Sequence, residues 1–175
     1  MPGKMPSTPN TDPMFHFREA TPADRPRLIP MINAAFSVEQ FLDGTRTDEA
    51  RLAATMEKGT ILMAEDGAGR LLGSVYIEFR GEIEFRGERG YLGMLAVDPA
   101  EQGKGLARKL MLAAEERFRA HGCNAVEIVV LNLRPELLPI YRRFGFVETE
   151  TIDFQTSRPL KPGFECHGIV MVKQL

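Results

Sequence analysis

One segment, residues 94–107 (MLAVDPAEQGKGLA), constrains the fold of this chain more than any other. Its apolar start is typical of a strand, and Asp98-Pro99 should end that strand because proline cannot donate to a ladder. A long helix is predicted after the glycines, so the loop N–H groups and the helix N-terminus meet at one place. Glycine lets an anion approach the backbone, and Lys104 or Arg108 can add positive charge. The segment therefore predicts a phosphate-binding strand–loop–helix unit.

Two common phosphate-binding loops do not fit this segment. A nucleoside triphosphate loop needs glycine five residues before its Gly-Lys pair and Ser or Thr after it, but Asp98 and Gly105 occupy those positions. A dinucleotide-binding loop that begins at Gly103 needs glycine or alanine where Arg108 stands. Neither nucleotide-binding class is therefore indicated.

The segment does resemble the acetyl-coenzyme A loop of the GNAT acetyltransferases, written Gln/Arg-x-x-Gly-x-Gly/Ala, in Gln102, Gly105 and Ala107. The resemblance implies that acetyl-coenzyme A is the co-substrate and that Leu95 and Val97 pair with its pantetheine amides like an added strand. The implied binding residues are Leu95, Ala96, Val97, Gln102, Gly103, Lys104, Gly105, Leu106, Ala107 and Arg108.

A second resemblance lies downstream, where residues 141–146 (YRRFGF) are similar to the family's Tyr-x-x-x-Gly-Phe signature. It implies that Tyr141 is the general acid that protonates the departing thiolate, a type of catalysis that contributes roughly 10²–10⁴-fold. Asn132 is similar to the family asparagine that contacts the pantetheine arm or the helix of the tyrosine. The run between Asn132 and Tyr141 is slightly longer than the family spacing.

Hydrophobic periodicity predicts the other elements. Strands are expected at residues 15–18, 61–64, 71–79, 91–97, 125–131, 146–152 and 166–172. Helices are expected after Thr21, between Thr47 and Gly59, between the glycine loop and Gly122, and over residues 137–144. Within the first helix, Pro26 and Pro30 predict a break or kink.

The resemblance implies an α/β (α+β) fold with a central mixed, mostly antiparallel sheet flanked by helices. Two neighbouring parallel strands, residues 91–97 and 125–131, are expected to splay apart and admit acetyl-coenzyme A. The chain of 175 residues suits one domain over residues 14–175. Residues 1–13, which contain four prolines and no apolar block, are predicted to be a flexible tail.

Composition and charge limit the classes of partner that the chain is expected to bind. A hydrophobic fraction of 43% and a charged fraction of 26% are ordinary for a globular protein. The sequence contains no run of about twenty apolar residues, so no membrane-spanning helix is predicted. The formal net charge of −2 gives no basic field for nucleic acid. Cys123 and Cys166 are too far apart for a CxxC pair and are expected to be buried thiols, and the three histidines lack ligand spacing, so no metal is predicted. We expect a cytoplasmic monomer or homodimer.

The sequence therefore predicts an N-acetyltransferase that transfers acetyl from acetyl-coenzyme A to a primary amine of a small molecule or protein by direct attack. The alternatives are a catalytically silent acyl-coenzyme A-binding module and a protein-interaction domain without a co-substrate. The general base is left open among four acids and a water relay. The acids are Glu78, Glu82, Glu84 and Glu88. The acceptor site is expected among residues 21–57, 79–90 and 157–165.

Overall fold

The structure is a computed structural model that describes residues 15–81 and 88–175. The expected tail, residues 1–13, lies outside the described residues, as do Glu82 and Glu84. The strands are β1 (His16–Glu19), β2 (Thr60–Glu65), β3 (Leu71–Arg80), β4 (Arg89–Val97), β5 (Ala125–Leu131), β6 (Val147–Asp153) and β7 (His167–Gln174). The helices are α1 (Arg25–Ala35), α2 (Glu49–Lys58), α3 (Leu106–Ala120) and α4 (Leu137–Arg143).

All seven strands form one sheet in the order β1–β2–β3–β4–β5–β7–β6. Every neighbouring pair is antiparallel except β4 and β5, which are parallel. The prediction of a mixed, mostly antiparallel sheet is thus confirmed, and the strand boundaries lie within two residues of those expected from the sequence.

Helix α1 has no break at Pro30, because it continues without interruption to Ala35, and a kink there stays a prediction. Pro26 lies in the first turn, where its missing N–H has no helical partner to lose. An interior proline costs about 3 kcal/mol, but complete burial of Leu28 and Ile32 contributes about 1.5–3 kcal/mol for each side chain. Packing of the apolar face against the sheet therefore outweighs the single lost ladder bond.

The two faces of the sheet carry separate layers of helices. Helix α3 buries Leu110 and Phe118 against one face, together with Val126 of β5. Helices α1 and α2 cover the other face over β2, β3 and the end of β4. Close packing fixes Gly90 of β4, since a Cβ atom there would lie 2.3 Å from the Phe118 ring. Within the described residues, no helix has the length and apolar character needed to cross a membrane.

A closed ionic cluster attaches the start of α1 to the sheet. Arg18 donates to Asp24 (Nη2–Oδ1 2.7 Å) and to Glu65 (Nε–Oε2 3.0 Å), and Arg27 also pairs with Glu65. Hydrogen bonds from Arg18 hold the pKa of Asp24 well below its usual range. Both carboxylates are buried, and the cluster balances two guanidiniums with two acids.

Candidate active site

The sheet opens where β4 and β5 separate. Residues 89–91 of β4 pair with residues 125–127 of β5, and beyond these three positions the strands have no ladder between them. The gap is a cleft of about 380 Å³ that both strands line. Its α3 side is formed by Gln102, Ala107 and residues of α4, and its α1 side by Phe36, Glu39, Leu42 and Arg46. The expected splay of the two parallel strands is therefore present.

A bulge turns β4 at this opening. One residue of β3, Val75, lies opposite two residues of β4, Met94 and Leu95. Met94 has a φ of 48°, a left-handed conformation that is uncommon for a residue other than glycine and costs about 1–3 kcal/mol. An extra residue bends the bulged strand and increases its twist. The bulge thus directs β4 away from β5 and places Met94 and Leu95 in the cleft wall.

The end of β4 presents backbone groups to the cleft. The Asp98 N–H donates to the Leu72 carbonyl at 2.8 Å, so the ladder to β3 runs through Ala96 and Asp98. The peptide groups of Val97 consequently face the other way, towards the cleft. Gln102 Nε2 donates to the Val97 carbonyl at 3.2 Å, which fastens the loop to the strand.

The glycine loop is open in front of α3. Gly103 and Gly105 have φ values of +79° and +81°, which glycine adopts without a Cβ penalty. A Cβ atom built at either position would meet no atom within 4 Å. No side chain caps α3, so its first N–H groups are available to a ligand. The loop therefore has the conformation and space of an anion site.

Charged side chains around the loop are partly paired. Lys104 Nζ lies 3.1 Å from Glu101, which also accepts from Arg70 at 2.7 Å. Arg70 and then Lys104 lower the pKa of the Glu101 carboxyl. Arg108 is exposed and shares a smaller hollow with Arg143 of α4. Lys104 is thus less available than the sequence suggests, and Arg143 is a second basic residue near Arg108.

The turn after α4 explains the spacing of the Tyr141 signature. Gly145 has a φ of +94°, its N–H donates to Arg142 O at 3.0 Å, and the Phe146 N–H donates to Tyr141 O at 3.1 Å. These two bonds form a Schellman motif, which needs glycine at that position and an apolar residue after it. The Phe146 ring then meets the Tyr141 ring edge-on, with centroids 5.8 Å apart. The glycine and phenylalanine of the signature thus fix the position of the Tyr141 ring.

Tyr141 lines the cleft with its hydroxyl group unpaired. Among residues 15–81 and 88–175, that hydroxyl has no hydrogen-bond partner. Burial raises the pKa of Tyr141 to about 12. The phenol therefore keeps its proton at neutral pH and can donate it.

Asn132 has a structural contact of its own. Its Oδ1 accepts from the His167 N–H at 2.9 Å, and its Nδ2 donates to the Glu165 carbonyl at 3.2 Å. These bonds attach the start of β7 to the end of β5. A contact between Asn132 and acetyl-coenzyme A stays a prediction.

A charged cluster that the sequence did not indicate lies on the α1 side, where Glu39, Arg46 and Arg134 line the cleft and Arg158 lines an adjacent hollow with Glu39 and Arg46. Glu39 accepts from Arg134 (Oε1–Nη1 3.1 Å) and from Arg158 (Oε2–Nη2 3.0 Å). The Arg46 guanidinium lies 4.8 Å above the centre of the Phe36 ring. Glu39 and Arg158 are 119 positions apart, and no motif links them. We call Glu39, Arg46, Arg134 and Arg158 the arginine cluster.

The comparison with known families settles the relationship of this cleft. The model described as "Acetyltransferase (GNAT) family" matches residues 26–146, a range that includes the bulged strand, the glycine loop and Tyr141. The chain belongs to the GNAT acetyltransferase family. The parallel strand pair and its cleft are thus those of a GNAT domain.

Two curated GNAT relatives show how similar this chain is in sequence to characterised members of the family. Glucosamine 6-phosphate N-acetyltransferase 1 of Oryza sativa subsp. japonica is 38% identical over 100 residues, which cover 55% of this chain and 58% of the relative. A mycothiol acetyltransferase of Propionibacterium freudenreichii subsp. shermanii is 27% identical over 150 residues, or 83% of this chain and 46% of the relative. The chain thus spans about half the length of these relatives.

A solved structure agrees with the GNAT fold. The ribosomal-protein-alanine N-acetyltransferase from Brucella melitensis superposes with a TM-score of 0.69 at 22% identity, covering 91% of this chain and 99% of that one. At this identity the likeness concerns the fold alone.

The candidate bases of the GNAT domain are not equally placed. Glu78 accepts from the Tyr76 hydroxyl at 2.8 Å and from Arg80 at 3.4 Å, and Glu88 is exposed. Neither lines the cleft. Within the described residues, Glu39 is the one carboxylate in the cleft wall, and both its oxygens already accept hydrogen bonds from arginines. The geometry therefore selects no base among these side chains.

Proposed function

We propose that this GNAT domain transfers an acetyl group from acetyl-coenzyme A to a primary amine of a small molecule or protein. The observation that carries the proposal is the cleft between β4 and β5, which has the open glycine loop and Tyr141 on its α3 side. The family supports acetyl transfer, and the identity of the acceptor is our inference.

The residues of the α3 side suit the chemistry of acetyl-coenzyme A. N–H groups at a helix N-terminus donate hydrogen bonds to phosphate oxygens, and α3 begins in open space at Gly105. Amide groups of an extended chain can pair with a strand edge, and β4 offers the Val97 N–H there, while the Val97 carbonyl already accepts from Gln102. When bound, the co-substrate supplies an activated acetyl thioester.

The proposed reaction is a direct attack. The uncharged acceptor amine forms a C–N bond with the acetyl carbon, the C–S bond breaks, and the amine proton passes to solvent or to a base. Tyr141 donates its hydroxyl proton to the departing sulfur. The role rests on the position of Tyr141 in the cleft wall, and the phenol is protonated at neutral pH, as a proton donor must be.

The positions of the thiols favour direct attack over an acyl-enzyme route. No cysteine is among the described residues that line the cleft. Cys123 is buried as expected, whereas Cys166 is only half-buried. Burial raises the pKa of both thiols, which reduces the thiolate fraction that a nucleophile would need.

Calorimetry and turnover together test the proposal. Acetyl-coenzyme A should bind with one site per chain, and a panel of sugar amines, amino acids and peptide N-termini should release free thiol with at least one acceptor. Binding without thiol release from any acceptor would favour the silent module. An absence of binding would overturn the proposal.

A further inference from the structure

We propose that the acceptor amine carries an anionic group, a carboxylate or a phosphate, which Arg46 binds on the α1 side of the cleft. This inference rests on the proposed function and specifies its substrate class. It begins from an imbalance of charge in the arginine cluster.

The arginine cluster contains three guanidiniums but one buried carboxylate, Glu39, which pairs with Arg134 and Arg158. Arg134 has a second partner, the exposed Glu136. Arg158 is held by Glu39 and by the Gly44 carbonyl at 2.9 Å. Arg46 forms no ion pair with any described residue, although it lines the cleft. The cluster therefore retains positive charge that faces the cleft.

Burial makes this arrangement costly without a ligand. The side chain of Arg158 is only 3% exposed, and the Nε atoms of both Arg46 and Arg158 are buried without a hydrogen-bond partner. An unsatisfied buried donor costs about 1–3 kcal/mol. Burial lowers the pKa of Arg158, and the nearby charges of Arg46 and Arg51 lower it further against the effect of Glu39. An anion beside Arg46 would offset the repulsion and accept from its unpaired guanidinium.

The backbone next to Arg46 is held in place by a side-chain clamp. Asn33 of α1 donates to the Thr47 carbonyl at 3.1 Å and accepts from the Thr47 N–H at 2.8 Å. The Phe36 ring supports one face of the guanidinium. A planar fork fixed in this way can bind a carboxylate or a phosphate through two parallel hydrogen bonds.

The closed cluster at the start of α1 shows the contrast. There, Arg18 and Arg27 meet Asp24 and Glu65, so two charges of each sign are paired. Both clusters join segments that are distant in sequence, so structural attachment alone does not require an excess of arginine. The missing negative charge of the arginine cluster is what a substrate would supply.

Matched pairs of amines test the inference. Phenylalanine is compared with phenethylamine, and O-phosphoethanolamine with ethanolamine, so that each pair differs in one anionic group and the two pairs separate carboxylate from phosphate. Binding is measured by calorimetry in the presence of coenzyme A, and turnover by thiol release. The variants are Arg46→Gln, Arg46→Lys, which keeps the charge but not the fork, and Arg119→Gln. Arg119 pairs with Glu115 on α3 outside the cleft, so its variant controls for net charge.

The wild type should bind the anionic member of at least one pair about tenfold or more tightly than its neutral partner. Arg46→Gln should abolish that preference, Arg46→Lys should reduce it, and Arg119→Gln should leave it intact, with acetyl-coenzyme A affinity unchanged throughout. Equal binding of both members in both pairs, or a preference that survives Arg46→Gln, would overturn the inference. Anion-dependent binding without thiol release would support the inference and count against the proposed function, whereas equal thiol release from neutral and anionic amines would do the reverse.

Discussion

The two sides of the cleft differ in the groups that they present to a ligand. The α3 side uses backbone groups of one continuous segment, residues 94–108, with glycines that open it to a ligand. The α1 side uses the side chains of the arginine cluster, which come from three separate parts of the chain. Backbone recognition suits a ligand that stays the same across a family, while side chains can change with the acceptor. Variants of each side should therefore affect different ligands.

The largest effect is expected from Tyr141→Phe, on the α3 side of the cleft. The variant keeps the ring and its contact with Phe146 but deletes the proton donor. We expect kcat and kcat/KM to fall together by about 10²-fold, with the Kd of acetyl-coenzyme A and the KM of the acceptor nearly unchanged. Because the pKa of Tyr141 is about 12, loss of this proton should not reduce wild-type activity until the pH approaches that value. Steady-state kinetics as a function of pH measure both effects, and full activity in Tyr141→Phe would remove the catalytic assignment.

Gly105→Val should affect the α3 side alone. The new side chain would fill the open space before α3 and would strain a φ of +81°. We expect the affinity for acetyl-coenzyme A to fall about tenfold or more. Gly69→Val is the matched control, because Gly69 has a φ of +79° and equally open space but lies in the β2–β3 turn. Both variants should lose about 1–2 kcal/mol of stability from backbone strain, and an equal loss of affinity in both would exclude a specific role for the loop.

Asn33→Ala and Asn132→Ala form a third comparison. Each asparagine makes two hydrogen bonds to a distant backbone, so each variant should lose about 1–2 kcal/mol of unfolding free energy. Asn33→Ala should also raise the KM of the acceptor without changing the Kd of acetyl-coenzyme A, because it removes the two hydrogen bonds that hold the backbone of Thr47, the residue after Arg46. A weaker Kd in Asn132→Ala would support the predicted contact with the co-substrate. Melting curves and calorimetry on the same preparations separate stability from binding.

Lys104→Ala should have the smallest effect. The side chain is 61% exposed and already pairs with Glu101. We expect the affinity for acetyl-coenzyme A to fall less than about fivefold. A loss as large as that of Gly105→Val would show that the side chain, rather than the loop backbone, dominates binding.

The sequence predicted the α3 side well because its information is local. The strand, loop and helix are neighbours in the chain, and the Tyr141 signature records the needs of one Schellman turn. The predicted break in α1 at Pro30 is wrong, since burial of Leu28 and Ile32 is a tertiary effect that helix propensity does not contain. The acceptor segments were predicted only as ranges. Of these, the α1–α2 loop and the segment near residue 160 do meet, through the bridge between Leu42 and Leu160.

The arginine cluster could not be predicted in this way. Glu39 lies 95 positions from Arg134 and 119 positions from Arg158, and each alone is an ordinary charged residue of the kind usually found at the surface. Only the meeting of the α1–α2 loop with the end of β5 and the loop before β7 reveals that Arg134 and Arg158 share the carboxylate of Glu39.

The short ladder between β4 and β5 has a consequence for hydrogen exchange. Amide protons of β4 that point to β3 are held in a ladder, whereas the Val97 N–H points into the cleft, beyond the last pair at Tyr91 and Glu127. The amides of β4 that bond to β3 should exchange slowly whether or not a ligand is bound. The Val97 amide should exchange fast until an extended ligand occupies the cleft. One strand thus contains both a reporter of occupancy and its internal reference, and deuterium uptake can follow binding of the co-substrate before any acceptor is known.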